Sequence, residues 1–146
     1  KYGIGILSKE PAISLKQYPL PCRKEPRTML IAENKKFYFI CTHLSLIEED
    51  QVTSARIIND ITKQLDKPFI LAGDLNATPE SSIMQAFFEF CTPLSDISQS
   101  TIPADNPNRC IDYILTNSAN IKGTGAAVIP ESIASDHRPL YVDVVF

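Results

Sequence analysis

Residues 68–76, Pro68-Phe69-Ile70-Leu71-Ala72-Gly73-Asp74-Leu75-Asn76, join a wholly apolar run to a glycine and two hydrogen-bonding side chains. An apolar run of this length, without polar alternation, is the pattern of a buried strand. Gly73 ends the run, so the strand delivers Asp74 and Asn76 to a sheet edge. Thr78-Pro79 then supplies an N-cap and a first helical residue, which predicts a helix to about Phe90.

Upstream, residues 48–65 place Val52, Ala55, Ile58, Ile61 and Leu65 at helical spacing, with acidic residues early and Lys63 late, as the helix dipole favours. Residues 28–33 and 36–42 are β-rich runs separated by Asn34-Lys35, which predicts a hairpin with a two-residue turn. Residues 2–8 alternate like a strand. The stretch from Pro11 to Pro26 cannot sustain a central strand and reads as a long loop. Downstream, residues 95–109 are polar and proline-containing, hence loop, and residues 111–116 resume a strand. A turn around Gly123 and Gly125 leads to a strand at 126–129, and residues 140–146 alternate as a closing strand. The sequence starts at Lys1 with a strand pattern already running, so the expectation is that it opens in mid-structure.

The 146 residues, 44% hydrophobic and 21% charged, suffice for one core, and one domain over residues 1–146 is expected. No run approaches the ~20 apolar residues needed to span a bilayer, and no signal peptide is visible. The expectation is a soluble domain, its compartment left open. A net charge of −3 argues against a broad basic face for gripping duplex DNA. Cys22, Cys41, Cys91 and Cys110 lie too far apart for a structural zinc site, and both free thiols and two disulfides are compatible with them.

Polar residues gather where predicted strands end: Thr42-His43-Leu44, Gly73-Asp74-Leu75-Asn76, Ile111-Asp112-Tyr113 and Ser135-Asp136-His137-Arg138-Pro139. Taken singly, Asp74 and Asn76 read as caps of the next helix, His43 as a structural histidine and Asp136-His137 as an ordinary turn. Asp112 is harder to dismiss, because a carboxylate within a strand needs a partner if it faces inward, and a histidine is the obvious one. The joint occurrence of these groups, on strand ends of a rigid sheet, points to a site built around one substrate atom. A serine hydrolase using His137 and Asp112 would need a GxSxG nucleophile elbow, which is lacking.

In their order, Ile6-Leu7-Ser8-Lys9, "THL", "GDLN", "IDYI" and "SDHRPL" resemble the motifs of the endonuclease/exonuclease/phosphatase superfamily. The resemblance spans nearly the whole sequence, and "GDLN" with a downstream "SDH" is its most specific pair. It implies a DNase I-like α/β fold, a four-layer β-sandwich with flanking helices, present here as a C-terminal portion. It also implies a metal-dependent hydrolase that cleaves phosphate esters as a phosphodiesterase, nuclease or phosphatase, by in-line attack of an activated water. On that resemblance Asp74 would orient or deprotonate the water, Asn76 would donate to a phosphoryl oxygen or to that water, His43 would donate to another phosphate oxygen, and His137 would contact the phosphate under the orientation of Asp112. Asp136 would be the metal-associated carboxylate, with Mg²⁺ as the ion and Mn²⁺ as its substitute.

The family's first strand carries an Asn, and a following "QE" motif supplies its principal metal-binding Glu. Neither precedes Lys1, and Glu10, Glu25 and Glu33 stand in no such context. Loss of that ligand leaves an alternative, a phosphate-binding module or a fragment without activity. Expected partners are a phosphate-ester substrate, whether nucleic acid, phospholipid head group or inositol phosphate, and a segment covering exposed sheet edges, from the chain's own N-terminal part or a second chain. The acidic balance, with no basic or stacking-aromatic run in residues 95–109, tilts toward a smaller phosphodiester.

Overall fold

A computed structural model of the chain, describing residues 3–146, contains eight strands and two helices in the order β1 (Ser14–Leu20), β2 (Arg27–Glu33), β3 (Tyr38–His43), α1 (Glu48–Thr62), β4 (Phe69–Asp74), α2 (Ser82–Phe88), β5 (Thr92–Pro93), β6 (Asp112–Thr116), β7 (Lys122–Val128) and β8 (Leu140–Val145). Six strands form one mixed sheet in the order β1-β2-β3-β4-β6-β5, and β7 pairs with β8 in a separate ladder. Within the sheet β3 and β4 are parallel, joined through α1, while β4 and β6 are antiparallel.

Strand alternation divides the sheet into two faces. Met29, Ile31, Ile40, Phe69, Leu71, Tyr113 and Leu115 point to one, where Ala55 and Ile58 of α1 and Ile83, Met84 and Phe87 of α2 complete the main core. Burying each of the larger side chains stabilises the fold by about 1.5–3 kcal/mol. Tyr113 keeps its hydroxyl satisfied there by donating to the carbonyls of Ala77 and Cys110. On the opposite face Pro139 and Leu140, where the chain enters β8, lie beside Ala72, Asp112 and Ile114. The strand leads to Phe146, whose ring lies 5.0 Å from that of Phe37. Helices, sheet and the β7-β8 ladder are three of the four layers expected of a sandwich.

The sequence expectations fail at definite places. Residues 14–20 are a strand and not loop: Pro19 lacks an N–H, but β1 is an edge strand, where that donor is not required. Of the strand expected over residues 2–8, Tyr2 lies outside the described residues. Residues 3–8 join no ladder; Ile6 and Leu7 instead lie along the open face beside Leu15, Leu30 and Phe39. The hairpin turn takes four residues, 34–37, closed by Asn34 N–H donating to the Phe37 carbonyl at 2.9 Å. α2 starts later than expected because Ser81 and not Thr78 is its N-cap, accepting from the N–H of Met84. Gly123 and Gly125 belong to β7 and straddle an irregularity in its register, where the expected turn had been read. All four cysteines are free, and burial pushes the Cys91 thiol up to about 12. Among the described residues no helix is long and apolar enough to cross a membrane.

Candidate active site

Strand register brings the first three groups together. Cα of His43 pairs with Asp74 in the parallel β3-β4 ladder, and Asp74 pairs with Asp112 in the antiparallel β4-β6 ladder. The C-terminal ends of β3 and β4 therefore meet the N-terminal end of β6, and three polar side chains stand abreast on one edge. The pairing continues one residue further, with Leu44 N–H donating to the Asp74 carbonyl and Leu75 N–H to that of Ile111. Gly73 is required because the two strands approach closely: a Cβ there would lie 1.9 Å from the Thr42 carbonyl oxygen, and its φ is +157°.

His137 arrives from the segment before β8. Its Nδ1 lies 2.8 Å from Asp112 Oδ2, within hydrogen-bond range, while its Nε2 lies 4.0 Å from Asp74 Oδ2, beyond it. An ionised Asp112 can only accept, which assigns the proton of this bond to Nδ1. Nε2 of His43 stands 3.3 Å from the same Asp74 oxygen. The other Asp74 oxygen, Oδ1, accepts from the N–H of Asn76 at 2.8 Å. Asp74 thus has one oxygen fixed by its own turn and one directed between two imidazoles.

Asn76 adopts φ 51°, a conformation that Asn tolerates better than most residues. Its side-chain amide donates to the Leu44 carbonyl at 3.0 Å, fastening the turn after β4 to the loop after β3. Gln51 of α1, 5% exposed, strengthens the join by donating to the carbonyls of Ser45 (2.7 Å) and Asn76 (3.0 Å). Thr101, 1% exposed, donates from its hydroxyl to Asp112 Oδ2. Neither residue was signalled by the sequence. Gln51 is polar on a helix and Thr101 polar in a loop, both of which read as solvent-facing until the partners across the fold are known.

Burial dominates the electrostatics. It raises the pKa of Asp74, further supported by the charge of Asp112, and these outweigh the opposing hydrogen bond from Asn76 and the two histidines. Burial lowers the pKa of His43, helped by the nearby Arg27 and His137, despite the attraction of Asp74. At His137 burial also acts downward, but the hydrogen bond and charge of Asp112, with Asp74 and Asp136, override it and leave the imidazole more basic than usual. The site therefore favours a basic carboxylate, a neutral His43 and a readily charged His137.

The ligand atoms of Asp74, Asp112 and His137 all lie within 4.8 Å of one another, a spacing that could hold a cation. Asp136, expected as the metal carboxylate, is not in that group. It precedes His137, and as the histidine turns inward the aspartate side chain is left exposed, its Oδ1 accepting from the Ser135 hydroxyl at 3.3 Å.

The fold recurs in solved structures. An endonuclease/exonuclease/phosphatase family protein from Bacteroides thetaiotaomicron superposes with a TM-score of 0.78 at 18% identity, over 92% of this chain and 65% of that one. The mannosyl-6-phosphatase of Bacteroides thetaiotaomicron VPI-5482 gives 0.77 at 19% identity, over 92% and 67%. D. rerio TDP2 complexed with a single-strand DNA product gives 0.67 at 20% identity, over 93% and 68%. The chain thus spans about two thirds of the length of these relatives. No curated protein sequence matches it. A sequence profile described as the Endonuclease/Exonuclease/phosphatase family matches residues 1–137, from the first residue through His137, and the chain belongs to that family.

Proposed function

We propose that the protein hydrolyses phosphate esters with the help of a divalent cation, water attacking the phosphorus in line with the leaving group. The observation that carries this reading is the convergence of His43, Asp74 and Asp112 through strand register, with His137 hydrogen-bonded to Asp112 beside them. Asp74 Oδ2 is placed to orient the water and take its proton, and the raised basicity that burial confers suits that task near neutral pH. His137, charged and aimed by Asp112, would donate from Nε2 to a phosphoryl oxygen as negative charge grows there. His43, neutral and beside Asp74, would donate to a second oxygen. Asn76 spends one amide hydrogen on Leu44 and keeps another for the substrate.

The carboxylates of Asp74 and Asp112 are donors that Mg²⁺ and Mn²⁺ both accept through oxygen. Asp74 and Asp112 would hold the ion, and exposed Asp136 would add its charge through water. When bound, the ion would supply Lewis-acid neutralisation of the phosphate. The structural neighbours support the substrate class, one being a mannosyl-6-phosphatase and another bound to a DNA product.

The test is turnover of bis-p-nitrophenyl phosphate by the intact protein at saturating Mg²⁺ or Mn²⁺. Asp74→Asn should lower kcat by about 10² to 10⁴. Turnover within about twofold of the parent would remove this mechanism.

A further inference from the structure

We infer that Thr101 is the positioning residue of the Asp112-His137 pair, fixing both members at once; this rests on the phosphoesterase reading above and adds a residue to it. Thr101 is 1% exposed and so cannot meet substrate. Its hydroxyl donates to Asp112 Oδ2, the oxygen that also meets His137 Nδ1. The same hydroxyl accepts from the N–H of Ile111 at 3.4 Å. A β-branched side chain buried in this way has little rotational freedom, so the hydroxyl is a fixed reference point for the carboxylate.

The backbone of the same residue holds the other member. The Thr101 carbonyl accepts from the N–H of Arg138 at 2.8 Å, and the N–H of Ala104 donates to the Asp136 carbonyl at 2.8 Å. Nε of Arg138 donates to the Ala104 carbonyl at 2.7 Å. Both neighbours of His137 are therefore tied to residues 101–104. Thr101 N–H, donating to the Arg109 carbonyl at 2.8 Å, anchors that segment to the chain leading into β6. One residue thus sets the Asp112 rotamer through its hydroxyl and the His137 backbone through its carbonyl. Without the hydroxyl, Asp112 keeps its histidine but loses the donor that holds Oδ2 in place. Nε2 of His137 then samples orientations away from Asp74, which affects the chemical step and leaves substrate binding unchanged.

The experiment compares Thr101→Val, which preserves shape, with Thr101→Ser, which preserves the donor, both in the intact protein acting on bis-p-nitrophenyl phosphate. Thr101→Val should lower kcat by about tenfold to a hundredfold with KM within about twofold, the loss expected when a hydrogen bond to a charged group is removed. Thr101→Ser should stay within about threefold of the parent. In spectra of ¹⁵N-histidine-labelled protein, the low-field Nδ1 proton of His137 should be present in the parent and in Thr101→Ser and should broaden or vanish in Thr101→Val. A kcat for Thr101→Val within about twofold of the parent overturns the inference, as does a Thr101→Ser that falls as far as Thr101→Val. If Thr101→Val does not fold, Thr101→Ala removes the same hydroxyl and takes its place. Should the parent show no turnover, the phosphoesterase reading fails by itself. The spectra then decide, and an unchanged His137 signal in the valine variant overturns the role of Thr101.

Discussion

Gly73→Ala tests the register on which the site depends. The new Cβ would stand 1.9 Å from the Thr42 carbonyl oxygen, about 1.5 Å inside the 3.4 Å at which ordinary contact begins. What it meets is backbone in a paired central strand, which cannot swing aside as a side chain can. Forced separation of packed elements costs about 1–3 kcal/mol. Holding a non-glycine residue at φ +157° costs about another 1–3 kcal/mol. The expected loss is about 2–6 kcal/mol, large against the stability of an ordinary domain. Any relief must separate Thr42-His43 from Asp74, and a misplacement of about 1 Å between reacting groups lowers turnover by about 10². Urea unfolding and bis-p-nitrophenyl phosphate turnover measure the two effects. Gly125→Ala is the control: its Cβ would approach only Asp143 Oδ2, at 3.2 Å, the mobile end of a side chain, and should cost under about 1 kcal/mol. Gly73→Ala losing under about 1 kcal/mol, with turnover within about threefold, would refute the argument.

In the proposed mechanism Asp112 acts through the imidazole, so Asp112→Ala should lower turnover less than His137→Ala, and the double variant should fall little below His137→Ala alone; additive losses would contradict the coupling. Gln51→Ala leaves the Ser45 and Asn76 carbonyls short of a buried donor, so chemical denaturation should show a loss of about 1–3 kcal/mol, with turnover reduced on the order of tenfold as the two loops uncouple. Glu33 has its pKa held below the usual 4.5 by hydrogen bonds from Lys67, at 2.7 Å, and Ser14. Its contribution to stability is present above that value and is lost as pH falls through the lowered one. Thermal melts from neutral pH to about pH 3 should therefore decline less steeply for Glu33→Gln than for the parent.

The parts of the fold legible in the sequence are those whose signal is local. The apolar period of α1, the unbroken run of β4 and the two halves of the β2-β3 hairpin need no distant partner to be recognised. β1 was illegible because its proline is forbidden only in a central strand, and edge position is a property of the whole sheet. The β7 glycines were read as a turn for a similar reason: the irregularity that accommodates them is defined by β8. At the site, the motif residues His43, Asp74, Asn76, Asp112 and His137 were named in advance, and the structure places them around one edge. Asp136 was named with them and stands outside the close group, its side chain exposed at the bend that turns His137 inward. Thr101 and Gln51 are common polar residues whose role comes from a single buried contact across the fold, and nothing in their immediate neighbours marks them.

The contact between His137 and Asp112 closes a 25-residue span. During synthesis the six-stranded sheet is complete once β6 has been made, yet the proposed chemistry must wait for residue 137. A protease cutting the exposed segment around Ile133, which is 93% exposed, would strike the same dependence from the other side. Such a cut leaves the main core and its helices in place while freeing the residues that carry the histidine. The proposed hydrolysis would then be lost before global unfolding, so that folding and activity become separately measurable quantities.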